Sequence, residues 1–195
     1  MKITLPDDWH EVTLEKYKEL WQVYERETES YAAVRRSIEV LAGLAPGTLE
    51  HVEWGDLAKA TEKIHWFLSE PDARTMQMPL QNIITHKNKQ YGFIPDWSTL
   101  TVGEFADIET YMQDSTFKNL EHIMSILYRP IALIRDDCYE IELYKPDKKR
   151  AEDMLTLPMN VVMGALVFFC NIEKALAITT QQSLVRKEQT NSKKA

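Results

Sequence analysis

The chain is short of cysteine, with two in 195 residues, Cys138 and Cys170. Two thiols cannot build a disulfide framework in a chain this long, and the apolar neighbours of each predict a buried side chain. Positive charge is also scarce: 23 Lys and Arg face 30 Asp and Glu, for a formal charge of −7. Phosphate recognition along a nucleic acid needs a concentrated basic face, so nucleic acid is excluded as the main partner. The one basic stretch begins at Arg186, and residues 187–195 read as a disordered tail. Long apolar runs are missing as well. The longest, from Val161 to Cys170, is about half of a bilayer span, so no membrane partner is expected. The N-terminus turns acidic by Asp7 with no apolar run before it, so no signal peptide is expected and a reducing intracellular compartment is.

Signatures of catalysis are absent too. There is no glycine-rich phosphate loop, paired CxxC, HExxH or EF-hand loop. Glu62-Lys63-Ile64-His65 has the carboxylate–histidine spacing of di-iron helix bundles, but those sites need a second such motif and two further glutamates. Neither cysteine has a histidine or a cation beside it in sequence to make it a nucleophile. Asp7-Asp8 and Asp136-Asp137 lack the surroundings of a magnesium site and read as solvated turns. The expectation is a protein that is not an enzyme and carries no cofactor or metal.

What is present is ordinary globular composition, 44% hydrophobic and 27% charged, and a phrase that occurs twice. Pro6-Asp7-Asp8-Trp9 leads into Val12-Thr13-Leu14-Glu15-Lys16-Tyr17, and Pro95-Asp96-Trp97 leads into Leu100-Thr101-Val102-Gly103-Glu104-Phe105. Thr13 and Thr101 are N-cap candidates, and Glu104 completes a capping box with Thr101 that Lys16 cannot make with Thr13. Trp9 and Trp97 stand where an apolar side chain can staple onto the first helical turns. The apolar match continues from Tyr31, Val34, Ile38, Val40 and Leu41 to Phe117, Leu120, Met124, Ile126 and Leu127. The chain therefore reads as a duplicated helical unit, one copy in residues 1–75 and the other in 96–186, sharing one core.

Periodicity predicts helices from Leu14 to about Glu27, from Ser30 to Gly43, and from Trp54 to Leu68. Ile83 to Ile94 reads as a β-hairpin across the polar turn 86–90, inside a connector at 76–95. Helices resume after Thr101 and after a Ser115 cap. Arg129-Pro130 interrupts them, and the alternation from Tyr139 to Tyr144 suggests a short strand or an extended arm. Asp147 to Leu155 is a short helix, and Pro158 opens a long core helix to about Arg186. The fold expected is mainly α, a helical bundle with one or two small hairpins. Arg129, after an apolar helix, is expected to pair with Glu104 or Glu109; Tyr128, Ile83 and Phe93 are further candidates for contact with a partner.

Leu5-Pro6-Asp7-Asp8-Trp9, Val12-Thr13-Leu14-Glu15-Lys16-Tyr17, Phe93-Ile94-Pro95-Asp96-Trp97, Ile126-Leu127-Tyr128-Arg129-Pro130-Ile131 and Phe168-Phe169, in that order, resemble small proteins encoded among the structural genes of tailed bacteriophages. Such proteins are read as tail assembly chaperones or minor virion components. The resemblance implies a factor that binds a phage structural protein (tail tube or tape measure), or itself, in the host cytoplasm or the virion. A capsid or head–tail ring component and a host-directed inhibitor are the alternatives. A chaperone would meet its client through methionine-rich grooves, with Met76, Met78, Met112, Met124, Met154, Met159 and Met163 as candidates, most of which are expected simply to fill the core, or through a hairpin edge at 83–94.

Overall fold

The computed structural model describes residues 3–26, 30–65, 78–96, 100–136 and 138–168. Three helices come first: α1 (Leu14–Arg26), α2 (Ser30–Ala42) and α3 (Trp54–Lys63). Strands β1 (Ile83–His86) and β2 (Lys89–Phe93) follow, then α4 (Val102–Ser115), a 3-10 turn at Thr116–Asn119, and α5 (Leu120–Leu127). Strands β3 (Tyr128–Arg135) and β4 (Cys138–Ile141) precede α6 (Lys148–Met154). Residues 159–168 are helical and are called α7 here.

The helices form where the 3.6-residue pattern places them. In α1, Leu14, Leu20 and Val23 are buried; in α5 every residue from Ile123 to Leu127 is. Gly43, at φ +67, ends α2 in the left-handed conformation. Its amide donates to the Val40 carbonyl and the Leu44 amide reaches back to Glu39, a Schellman closure. Asp147 caps α6, its Oδ1 accepting from the Lys149 and Arg150 amides at 3.0 and 3.2 Å.

A bundle with separate small hairpins is not what forms. The four strands make one antiparallel sheet in the order β1-β2-β3-β4. The β1–β2 turn is two residues, Lys87 and Asn88, both at positive φ, as a type I′ turn requires. The missed element is β3. Arg129-Pro130 does not interrupt structure but lies within a strand, because Pro130 is asked only for its carbonyl, which accepts from the Glu142 amide at 2.9 Å. Helix α4 runs on to Ser115, and the next helix starts at Leu120 after the 3-10 turn.

Gly92 explains how the hairpins meet. It pairs with Ile83 on one side and Arg129 on the other, and a Cβ there would collide with the Tyr139 ring and fall 2.8 Å from Ile141 Cγ2. The missing side chain lets β4 fold its alternate residues over β2, and the Tyr139 hydroxyl donates to the Phe93 carbonyl at 2.7 Å. One hydrophobic cluster includes Leu5, Leu20, Ile38, Ile64, Phe93, Ile123, Tyr128, Met154 and Val162, so both predicted repeat regions and the sheet contribute to it. Met124, Met154, Met159 and Met163 are buried in that core and line no surface groove, while Met112 is half-buried. The continuation of the last helix beyond residue 168, Cys170, Trp97 and Met76, the tail at 187–195, and the stretch of the third predicted helix past 65 lie outside the described residues.

Candidate functional site

The two Thr-led helix starts are built differently. At α1, Thr13 Oγ1 accepts from the Lys16 amide at 3.3 Å, and the first two amides are taken by another part of the chain: Leu14 donates to Leu157 at 2.9 Å and Glu15 to Leu155 at 2.8 Å. In return Met159 donates to Val12 and Asn160 to Trp9, so the first amides of α7 are satisfied by the turn leading into α1. A Thr13–Pro158 bridge joins the two segments. Trp9 is buried and meets Tyr17 edge-on at 6.0 Å, the staple the spacing suggested.

At α4 the cap is internal. Thr101 N donates to Glu104 Oε2 at 2.6 Å, and the Glu104 amide donates to Thr101 Oγ1 at 3.2 Å. The Thr101 hydroxyl also donates to Glu104 Oε2. The other oxygen, Oε1, receives Arg129 Nη1 at 2.7 Å. Glu104 is 2% exposed and Arg129 7%, so the pair is essentially removed from water. Burial pushes the Arg129 pKa down and nearby Arg150 adds to that, while the Glu104 carboxylate holds it up. Among the described residues Arg129 Nε has no hydrogen-bond partner. One glutamate thus ties the first turn of α4 to the middle of the sheet.

Around this pair lies a second bridge that periodicity did not suggest. The Tyr144 hydroxyl donates to Asp107 Oδ2 at 2.6 Å, linking α4 to the extended chain after β4. Burial raises the Tyr144 pKa and the bond to Asp107 raises it further. Phe105 is 45% exposed. The buried stripe of α4 runs through Glu104 and Ile108, because Glu104 must reach both Thr101 and Arg129.

Tyr128 and Phe93 pack edge-on at 5.2 Å and are 0% and 1% exposed, so neither offers surface to a partner. The Tyr128 hydroxyl donates to the Gln81 carbonyl. Ile83 is 42% exposed, on edge strand β1. Cys138 was expected buried and is exposed, since it faces Arg135 at the outer end of the β3–β4 hairpin. That outer end is the surface the sequence did not disclose: Leu133, Ile134 and, beyond β4, Leu143 are large apolar side chains left exposed. The alternation in β3 that would mark an outward face is masked by an unbroken apolar run.

Among the described residues no group of three His, Cys, Asp or Glu side chains is placed to hold a metal ion, and no helix is long and apolar enough to cross a membrane. Comparison of the chain with protein-family models, with curated proteins and with solved structures finds no match.

Proposed function

We propose that this protein is a non-enzymatic phage assembly factor that binds a phage structural protein, tail tube or tape measure, during morphogenesis. The observation that carries this reading is the β3–β4 hairpin. Its outer half exposes Leu133 and Ile134, and β4 is the edge of the sheet, with no further strand beside it among the described residues. An exposed apolar edge is a liability in a free protein and an asset in one that adds a strand to a client. The excess of acidic side chains keeps such a surface soluble. The resemblance of the Trp-led phrases to small phage structural-module proteins supplies the identity of the client.

The two helix pairs are read as copies of one unit. Leu20 and Ile108, Ile38 and Met124, Val40 and Ile126, and Leu41 and Leu127 occupy matching places and are all buried. The copies diverge at their starts, where Leu14 is fully buried and Val102 is 87% exposed. Only the first copy has the 155–159 segment laid across it.

The test is affinity purification from infected cells with mass spectrometry of purified particles. A tail protein recovered with the wild type but not with an Ile134→Asp, Leu133→Asp variant that keeps its circular dichroism supports the reading. A fixed stoichiometric copy number in finished particles would turn it into a virion component, and recovery of a host enzyme alone would make it an inhibitor.

A further inference from the structure

An open cleft of about 580 Å³ lies between the β1–β2 turn, β3 and α6. Its charged lining residues are Lys89, Glu142, Asp147, Lys149, Arg150 and Asp153. Counted by formal charge it is balanced; counted by what each group is already doing it is not. Asp147 Oδ1 is committed to the Lys149 and Arg150 amides as the cap of α6. Asp153 is committed to Lys87, whose Nζ lies 2.6 Å from Oδ1. The cations are not spent in the same way. Among the described residues Lys89 and Lys149 have no ion pair, and Arg150 meets a carboxylate only at 3.6 Å, Nη2 to Asp147 Oδ2.

Arg150 is the unusual member. Its side chain is 10% exposed, and its Nη1 is covered with no hydrogen-bond partner among the described residues. A guanidinium in that condition forgoes interactions that its fork is shaped to make with a planar oxyanion. Tyr91 adds a donor. It is 3% exposed and lines the same cleft as Arg150. No protein group among the described residues accepts its proton.

We propose that this cleft is an oxyanion-binding site, in which the Arg150 fork and the Tyr91 hydroxyl bind a carboxylate or phosphate group while Lys89 and Lys149 supply attraction from the rim. A swing of the guanidinium about its last bonds exchanges the long Asp147 contact for short ones to the ligand. With Asp153 paired to Lys87, the three lining cations face Glu142 and Asp147, so the site keeps a small positive excess in an otherwise acidic protein. This placement does not depend on the identity of any phage partner.

The test uses the full chain at constant ionic strength, with chloride as the balancing ion. Inorganic phosphate and a blocked oligoglutamate peptide are titrated separately and followed by amide NMR shifts. Saturable shifts at residues 88–91 and 149–150 are expected. Arg150→Gln should weaken them about tenfold, the worth of a lost charged hydrogen bond. Lys149→Gln, on an exposed side chain that leaves the fold alone, should weaken them about threefold. Saturation by phosphate alone identifies a free anion as the ligand, and by the peptide alone the carboxylates of a protein partner. The proposal is overturned if neither probe saturates, or if folded Arg150→Gln and Lys149→Gln proteins both bind as the wild type does.

Discussion

Replacing Glu104 by alanine should be among the most damaging single changes available in this chain. Two losses combine. The carboxylate accepts from Thr101 N at 2.6 Å and completes the cap of α4, a contribution of about 1 kcal/mol. It also neutralises Arg129 at 2.7 Å with both side chains nearly dry. At an effective dielectric constant near 20, that separation corresponds to about 6 kcal/mol of attraction, most of it offset by desolvating the two ions. Removing only the glutamate leaves the desolvation of Arg129 uncompensated, which costs about 3–5 kcal/mol. The sum, about 4–6 kcal/mol, approaches the whole stability of many domains. Removing the arginine as well should restore much of it. Arg129 Nε already lacks a partner, so a methionine of similar length relinquishes little there. Urea unfolding of wild type, Glu104→Ala, Arg129→Met and the double variant gives the coupling energy directly. A coupling of at least about 2 kcal/mol is expected. A Glu104→Ala cost under about 2 kcal/mol, or additive behaviour in the cycle, would refute the assignment of this pair as the link between α4 and the sheet.

Three further outcomes follow from the packing. Gly92→Ala forces a Cβ into the Tyr139 ring and Ile141, so it should cost about 1–3 kcal/mol in thermal unfolding, and Tyr139→Ala should partly relieve it. The buried Glu39 carboxylate accepts from the Gly47 and Leu49 amides at 3.1 and 3.0 Å; Glu39→Ala orphans both, and should open residues 43–50 to limited proteolysis that leaves the wild type intact. Burial holds the Tyr128 and Tyr144 hydroxyls protonated, raising both pKa values above that of a free phenol. The stability this represents is fully present below pH 10 and is lost as pH climbs beyond it. Phenolate absorbance should therefore show part of the tyrosine signal rising together with unfolding; all eight tyrosines titrating near pH 10 in a protein whose circular dichroism stays native would contradict it.

The helices were legible because each carries its own signal. Leu14, Leu20 and Val23 repeat along one face, and Thr101 with Glu104 writes out a capping box. The first hairpin was legible from its polar turn. What was hidden depends on neighbours distant in sequence. Pro130 looks like an interruption until Glu142 is seen donating to its carbonyl. Cys138 sits in apolar company, yet that company is itself exposed. Arg150 is one basic residue among three in Lys148-Lys149-Arg150, and only its place in the cleft shared with Tyr91 and Pro130 distinguishes it. The Arg129–Glu104 pair lay between these cases: the arginine's position suggested burial, but two acids were open as partners.

The exchange of amides and carbonyls between the starts of α1 and α7 also bears on the order in which the chain can fold. Helix α1 is made well before α7 and has good internal pattern, yet its opening amides wait for the carbonyls of Leu155 and Leu157. The contact from Thr13 to Pro158 is a closure across most of the chain, slow to form and lost in any fragment that stops short of it. Synthesis from the N-terminus therefore produces a helix whose first turn frays until residues 155–158 have been made. The native state is sealed late, by the closure of Thr13 onto Pro158.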